Sequence, residues 1–167
     1  MAIRKGKIPA EKSDSANYKF LFVGTIILVL LDQLTKAAVR YFLPPSASIP
    51  VLGFAQLTHW ANTGSVFGLF PGTYNYIALL SLAVVSFVVV LYLLGFLRQR
   101  LAVTLLVAGM VGNTIDRISQ GFVTDFIYIR PWPAFNLADA FLTIGTLLFA
   151  APHILSLLPR IFRRRTK

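Results

Sequence analysis

Four long apolar stretches, set apart by short polar or Gly/Pro-rich segments, dominate the order of residues along the chain. The first runs from Phe20 to Leu43, interrupted by Asp32-Gln33 and Lys36, and stops at Pro44-Pro45. At about 1.5 Å per helical residue it more than spans a hydrocarbon core of roughly 30 Å. A basic head before a dozen apolar residues also fits a cleaved signal peptide, although Asp32-Gln33 falls where small cleavage-site residues belong. The second stretch, Ile77 to Leu97, contains no charge and is closed by Arg98 and Arg100; the third, Leu101 to Ile115, is short and ends in Asp116-Arg117. The fourth runs from near Phe135 to Leu158, with Asp139 close to its start. The pattern predicts an all-α membrane protein with four transmembrane helices, at about 20–43, 76–97, 101–117 and 136–158.

Between the spans, residues 44–73 are too broken by Pro and Gly for a helix and too apolar for a free loop, which predicts a small β-structured or interfacial element. Residues 119–134 form a second connecting segment. Residues 1–19 are polar and basic, without apolar periodicity, and are expected to be a disordered tail. Residues 159–167 form a second basic tail. No repeat is visible, so residues 20–158 read as a single integral membrane domain.

Composition changes this picture only through charge. The 167 residues are 56% hydrophobic and 13% charged, yet carry a net charge of +10. Long apolar runs separate the bases, which excludes a nucleic-acid-binding face. Twelve of the sixteen Lys and Arg residues lie in the N-terminal tail, at Arg98 and Arg100, or in the C-terminal tail. The positive-inside rule then puts both termini in the cytoplasm and residues 44–73 and 119–134 on the outer side. With no Cys and only two His, neither a thiolate nor a zinc cluster is expected, and no metal or cofactor is called for.

The informative charges are the negative ones. Of six acidic residues, Asp32, Asp116, Asp125 and Asp139 fall within or beside the apolar stretches, where a carboxylate is costly unless it faces protein or water. The predicted topology brings all four to one depth near the outer interface. Asp32 and Lys36, four residues apart, can simply neutralise each other. Asp116 and Arg117, on one side of the helix with Asn113, can close that helix end as well as do chemistry. Asp139 can serve as a favourable charge at a helix N-terminus. Asp125 and Asp139 have no base at helical spacing and together suggest a proton-sharing pair, one carboxyl acting as general base on water while the other acts as acid. A serine hydrolase built on Ser65 with Lys36 or His59 lacks the expected G-x-S-x-G context. A proton-relaying transporter predicts a midplane site and repeat symmetry that are not seen.

The blocks D-Q-L-T-K (Asp32 to Lys36), N-T-G-S-V-F (Asn62 to Phe67), A-G-M-V-G-N-T-I-D-R (Ala108 to Arg117), V-T-D-F (Val123 to Phe126) and F-N-L-A-D (Phe135 to Asp139) occur in that order. In these blocks the chain resembles the lipoprotein signal peptidases, the signal peptidase II family of bacterial aspartyl peptidases. The resemblance implies cleavage of a prolipoprotein before its diacylglyceryl-modified Cys, in the bacterial inner membrane, by a cofactor-free enzyme that meets phospholipid and is expected to be a monomer. It assigns Asp125 and Asp139 as the catalytic pair. Asp32, Lys36, Asn62, Gly64, Gly109, Asn113, Asp116, Arg117, Asn136 and Ala138 match supporting positions. Asn62 and Arg117 are expected to position the substrate backbone, Asn136 to orient Asp139, and Gly64 and Gly109 to permit close backbone approach. The aromatics Phe54, Trp60, Phe67 and Phe70 are expected either to cradle the substrate or to anchor the chain at the interface.

Overall fold

The computed structural model describes residues 11–64 and 74–164. Their order is α1 (Glu11–Phe42), β1 (Ser48–Leu52), β2 (Ala55–Asn62), α2 (Tyr74–Leu93), α3 (Arg100–Gln120), β3 (Val123–Ile129) and α4 (Leu137–Arg164). Three helical segments are long and apolar enough to cross a bilayer: Asn17–Phe42, Tyr76–Leu93 and Arg100–Gln120. In α4 the apolar described stretch, Leu137–Pro152, is shorter. Phe67, Phe70 and Ser65 lie outside the described residues.

The chain departs from the expected boundaries at both ends. Residues 11–19, expected to be disordered, form the first turns of α1. Contacts invisible to a search for local periodicity dock this end: Tyr18 meets Tyr92 edge to face, the Tyr92 hydroxyl donates to the Asn17 carbonyl (3.3 Å), and Arg100 lies 5.1 Å from the Phe20 ring centroid. At the other end α4 continues through Arg164, so most of the expected basic tail is helical.

Helix α3 is the hub, packing against α1, α2 and α4. Its approach to α4 depends on small residues, as in many membrane helix pairs. A Cβ on Gly109 would lie 2.5 Å from the Ala138 carbonyl oxygen, and one on Gly145 would lie 3.1 Å from that of Ala102. Gly121, with φ 78°, caps α3 by returning its N–H to the Arg117 carbonyl (3.1 Å). The chain can therefore turn within two residues into β3.

The β-element expected within residues 44–73 is present as the β1–β2 hairpin, but its sheet has a third strand. β3, antiparallel to β2, comes from the segment read only as a connection. The run V-T-D-F-I-Y-I carries little period-2 signal because its first four residues are all buried. Pro50 and an irregular register after it blunt the exposed edge strand β1. The sheet joins the C-terminal ends of α1 and α3 to the N-terminal end of α4, opposite the end where Tyr92 and Arg100 hold the start of α1.

Candidate active site

Asp125 lies on β3 opposite Trp60, while Asn62 pairs with Val123 two positions away. That diagonal register puts the Asn62 and Asp125 side chains on one face of the sheet. Asn62 donates its side-chain amide to Asp125 Oδ2 (2.9 Å) and Asn136 donates to Asp125 Oδ1 (2.7 Å). Asp125 is 1% exposed.

Asn136 and Asp139 form a reciprocal cap at the start of α4. The Asp139 N–H donates to Asn136 Oδ1 (3.0 Å), and the Asn136 N–H donates to Asp139 Oδ2 (3.2 Å). Asn136, expected to orient Asp139, thus hydrogen-bonds to both carboxyl-bearing residues. Asn113 donates to the remaining oxygen of Asp139, Oδ1 (2.8 Å).

Each of the three amides has its direction fixed by a group that can only donate. Asn62 Oδ1 accepts the Gly64 N–H (2.9 Å), Asn136 Oδ1 accepts the Asp139 N–H, and Asn113 Oδ1 accepts from Lys36 Nζ (2.9 Å). The amino group of every amide is therefore turned toward a carboxylate.

Asp32, Lys36 and Asp116 are fully buried behind this layer. Lys36 Nζ lies 2.8 Å from Asp32 Oδ2 and 3.3 Å from Asp116 Oδ2. Asp32 Oδ1 accepts the Ala138 N–H (2.9 Å), tying α1 to the start of α4. Asp116 accepts the Thr124 N–H (2.9 Å), next to Asp125. The suggested closure of the α3 end by Asp116 with Arg117 is not what forms. Consecutive helix positions diverge by about 100°, so Asp116 turns to Lys36 and Arg40 (3.5 Å), whereas Arg117 turns toward Gly64. The Arg117 Nε is buried without a hydrogen-bond partner among the described residues.

Gly64 has φ 70°, and a Cβ there would lie 2.9 Å from Ile77 Cδ1. Four contributors escaped the sequence reading. Gln33 donates to Asp32 Oδ2 (3.1 Å) and to the Gly112 carbonyl (3.0 Å), and Arg40 donates to Thr124 Oγ1 (2.8 Å). A Cβ on Gly112 would lie 2.6 Å from Asp32 Oδ2. The spacing of Asp32, Lys36 and Arg40 along one helix face carried a signal for Arg40; Thr124 carried none.

Two cavities meet the carboxyl pair. One of about 560 Å³ touches Asp125 and Asn62 and is lined by Thr58, Trp60 and Tyr128. Another of about 540 Å³ touches Asp139 and is lined by Trp132, Phe135, Thr143 and Ile144.

Burial pushes the Asp125 carboxyl up to about 6; the Asp139 carboxylate adds to this, while the hydrogen bonds from Asn62 and Asn136 and the charge of Lys36 oppose it. Because its folded value is raised, Asp125 contributes stability that is fully present below about 3.8 and lost as pH rises through about 6. A shift of this size corresponds to on the order of 3 kcal/mol. We therefore expect a fall in Tm between pH 4 and 7 that is absent in Asp125→Asn; identical Tm–pH curves for parent and variant would contradict it.

The family model for signal peptidase II matches residues 24–155. The chain belongs to the signal peptidase II family. A lipoprotein signal peptidase of Desulforapulum autotrophicum is 41% identical over 155 residues, covering 84% of this chain and 94% of that protein. One of Dehalococcoides mccartyi is 38% identical over 145 residues, covering 81% and 89%. Two solved structures described as a bacterial membrane enzyme, determined by the in meso method at 2.3 Å and 1.9 Å, align with TM-scores of 0.73 and 0.70 at 28% and 29% identity. They cover 83% of this chain in each case, and 88% and 92% of their own. As a signal peptidase II, the chain is a membrane protease whose family removes signal peptides from prolipoproteins.

Proposed function

We propose that this chain is an intramembrane aspartyl endopeptidase that cleaves a bacterial prolipoprotein before its diacylglyceryl-modified Cys, with Asp125 and Asp139 activating water. The observation that carries the reading is the bridge through Asn136, which ties the buried Asp125 carboxyl and the half-buried Asp139 carboxyl into one hydrogen-bonded unit. Two such carboxyls share a proton. The ionised one takes a proton from water as it attacks the scissile carbonyl while the protonated one donates to the carbonyl oxygen; as the intermediate collapses, the first passes its proton to the leaving amine and the second takes one back from a gem-diol hydroxyl. Arg117, whose Nε has no hydrogen-bond partner among the described residues and lies near Gly64, suits a substrate carbonyl. The apolar wall of Trp132, Phe135 and Ile144 suits an acyl chain beside the modified Cys.

With α4 taken as the fourth membrane crossing, the positive-inside rule puts both termini, Arg98 and Arg100 in the cytoplasm. The carboxyl pair then lies near the outer leaflet of the inner membrane. The enzyme works as a monomer among phospholipids.

Purified enzyme is incubated with one prolipoprotein in two forms, diacylglyceryl-modified and unmodified, and the product N-terminus is read by mass spectrometry. The expected product begins at the modified Cys, and the unmodified form is cut at least about 100-fold more slowly, because the lost acyl contacts no longer hold the scissile bond in place. Equal cutting of both forms, or cutting elsewhere, would overturn the substrate assignment.

A further inference from the structure

The buried group of Asp32, Lys36, Asp116 and partly exposed Arg40 balances two negative charges with two positive ones. As a device for joining helices it is an odd choice, since a buried ion pair can often be replaced by packed apolar side chains without loss of stability. An apolar replacement cannot, however, give direction to a neighbouring amide. An Asn side chain fills nearly the same volume either way round, so its neighbours decide which end is oxygen.

Lys36 Nζ divides its contacts among Asp32 Oδ2 (2.8 Å), Asp116 Oδ2 (3.3 Å) and Asn113 Oδ1 (2.9 Å). Because an ammonium accepts nothing, Asn113 must present its oxygen to Lys36 and its amino group to Asp139 Oδ1, 2.8 Å away. In the opposite orientation two oxygens would meet at that distance. Only a proton on Asp139 could then bridge them, and a protonated Asp139 takes no proton from water.

We propose that Lys36 is a positioning residue for the reaction: acting through Asn113, it holds Asp139 as a hydrogen-bond acceptor in one orientation. Asp32 and Asp116 hold Lys36 in place, and each is itself pinned by a backbone N–H, of Ala138 and Thr124. The inference rests on the assignment of Asp125 and Asp139 as the reacting pair.

The test is a cycle of three variants: Asp32→Asn/Lys36→Met, which removes one charge of each sign; Asn113→Leu; and all three substitutions together. Kinetics are compared at matched pH, with Tm recorded. Each of the first two is expected to lower kcat about 100-fold, the scale of a misaligned reacting group, with KM within threefold of the parent. The triple variant is expected to lie within threefold of Asn113→Leu alone, because Lys36 has no amide left to direct. Multiplying losses, a double variant within threefold of parental kcat, or a change confined to KM would each overturn the proposal.

If the double variant does not fold, Asn113→Asp carries the test. It keeps an oxygen facing Lys36 but offers Asp139 no donor, so its kcat must fall as far as that of Asn113→Leu; parental kcat would overturn the proposal. Asp139→Asn separates the two readings. Activity in that variant defeats the aspartyl assignment itself, whereas its inactivity beside a fully active Lys36 double variant defeats the Lys36 inference alone.

Discussion

Asp139→Asn is expected to lower kcat for prolipoprotein cleavage by at least about 10⁴-fold, and Asp125→Asn to do the same, the scale on which catalytic groups that work as one unit are lost. The substitution is nearly isosteric, so the effect reports chemistry before shape. Each carboxyl accepts on both oxygens: Asp125 from Asn62 and Asn136, and Asp139 from Asn113 and the Asn136 N–H. An Asn at either place can satisfy one of these donors but turns its own amino group against the other. Neither a shared proton nor a second acceptor remains. The mismatch also costs about 1–3 kcal/mol of stability, so the assay is run well below the variant's Tm. Cleavage by either folded variant within tenfold of the parent would remove the aspartyl pair from the mechanism.

The second large effect is expected at a residue that carries no titrating group of its own. In Gly109→Ala the new methyl carbon would lie 2.5 Å from the Ala138 carbonyl oxygen, 2.7 Å from Leu142 Cγ and 3.1 Å from the Leu142 nitrogen. Two of these three are backbone atoms and cannot rotate away, so α4 must move off α3. Overpacking of this kind costs typically 1–3 kcal/mol. Ala138 and Asp139 sit on the displaced turn, and Ala138 gives its N–H to Asp32. A shift approaching 1 Å there would lower kcat about 100-fold. Thermal unfolding and kinetics on one preparation check both parts. An alanine variant with parental Tm and kcat would mean that the helix contact is looser than described.

Much of this site was legible in the sequence because carboxylates are rare and costly in apolar stretches. That alone singled out Asp32, Asp116, Asp125 and Asp139, and the ordered motif blocks supplied the Asn and Gly residues around them. Less visible was what each residue faces. Asp116 and Arg117 are neighbours in sequence, yet one serves α1 and the other looks toward Gly64; the partner of a buried charge is settled by tertiary packing. Gln33 and Gly112 lay inside recognised blocks but became meaningful only once α1 and α3 were seen to approach at Asp32. β3 was missed because a strand with a buried run loses the alternation by which strands are found, and the start of α1 because its docking on Tyr92 and Arg100 is long-range.

The three directed amides also have a chemical lifetime. Asparagine converts slowly to aspartate when the next residue's backbone nitrogen attacks the side-chain carbonyl, fastest where that residue is glycine. Here the following residues are Thr63, Thr114 and Leu137, two of them β-branched and stiff, and Asn113 lies inside a regular helix. Conversion at any one of the three would replace a donor by a further negative oxygen beside the aspartyl pair. An old enzyme molecule would then fail through the ageing of an amide, with the carboxyls of Asp125 and Asp139 both intact.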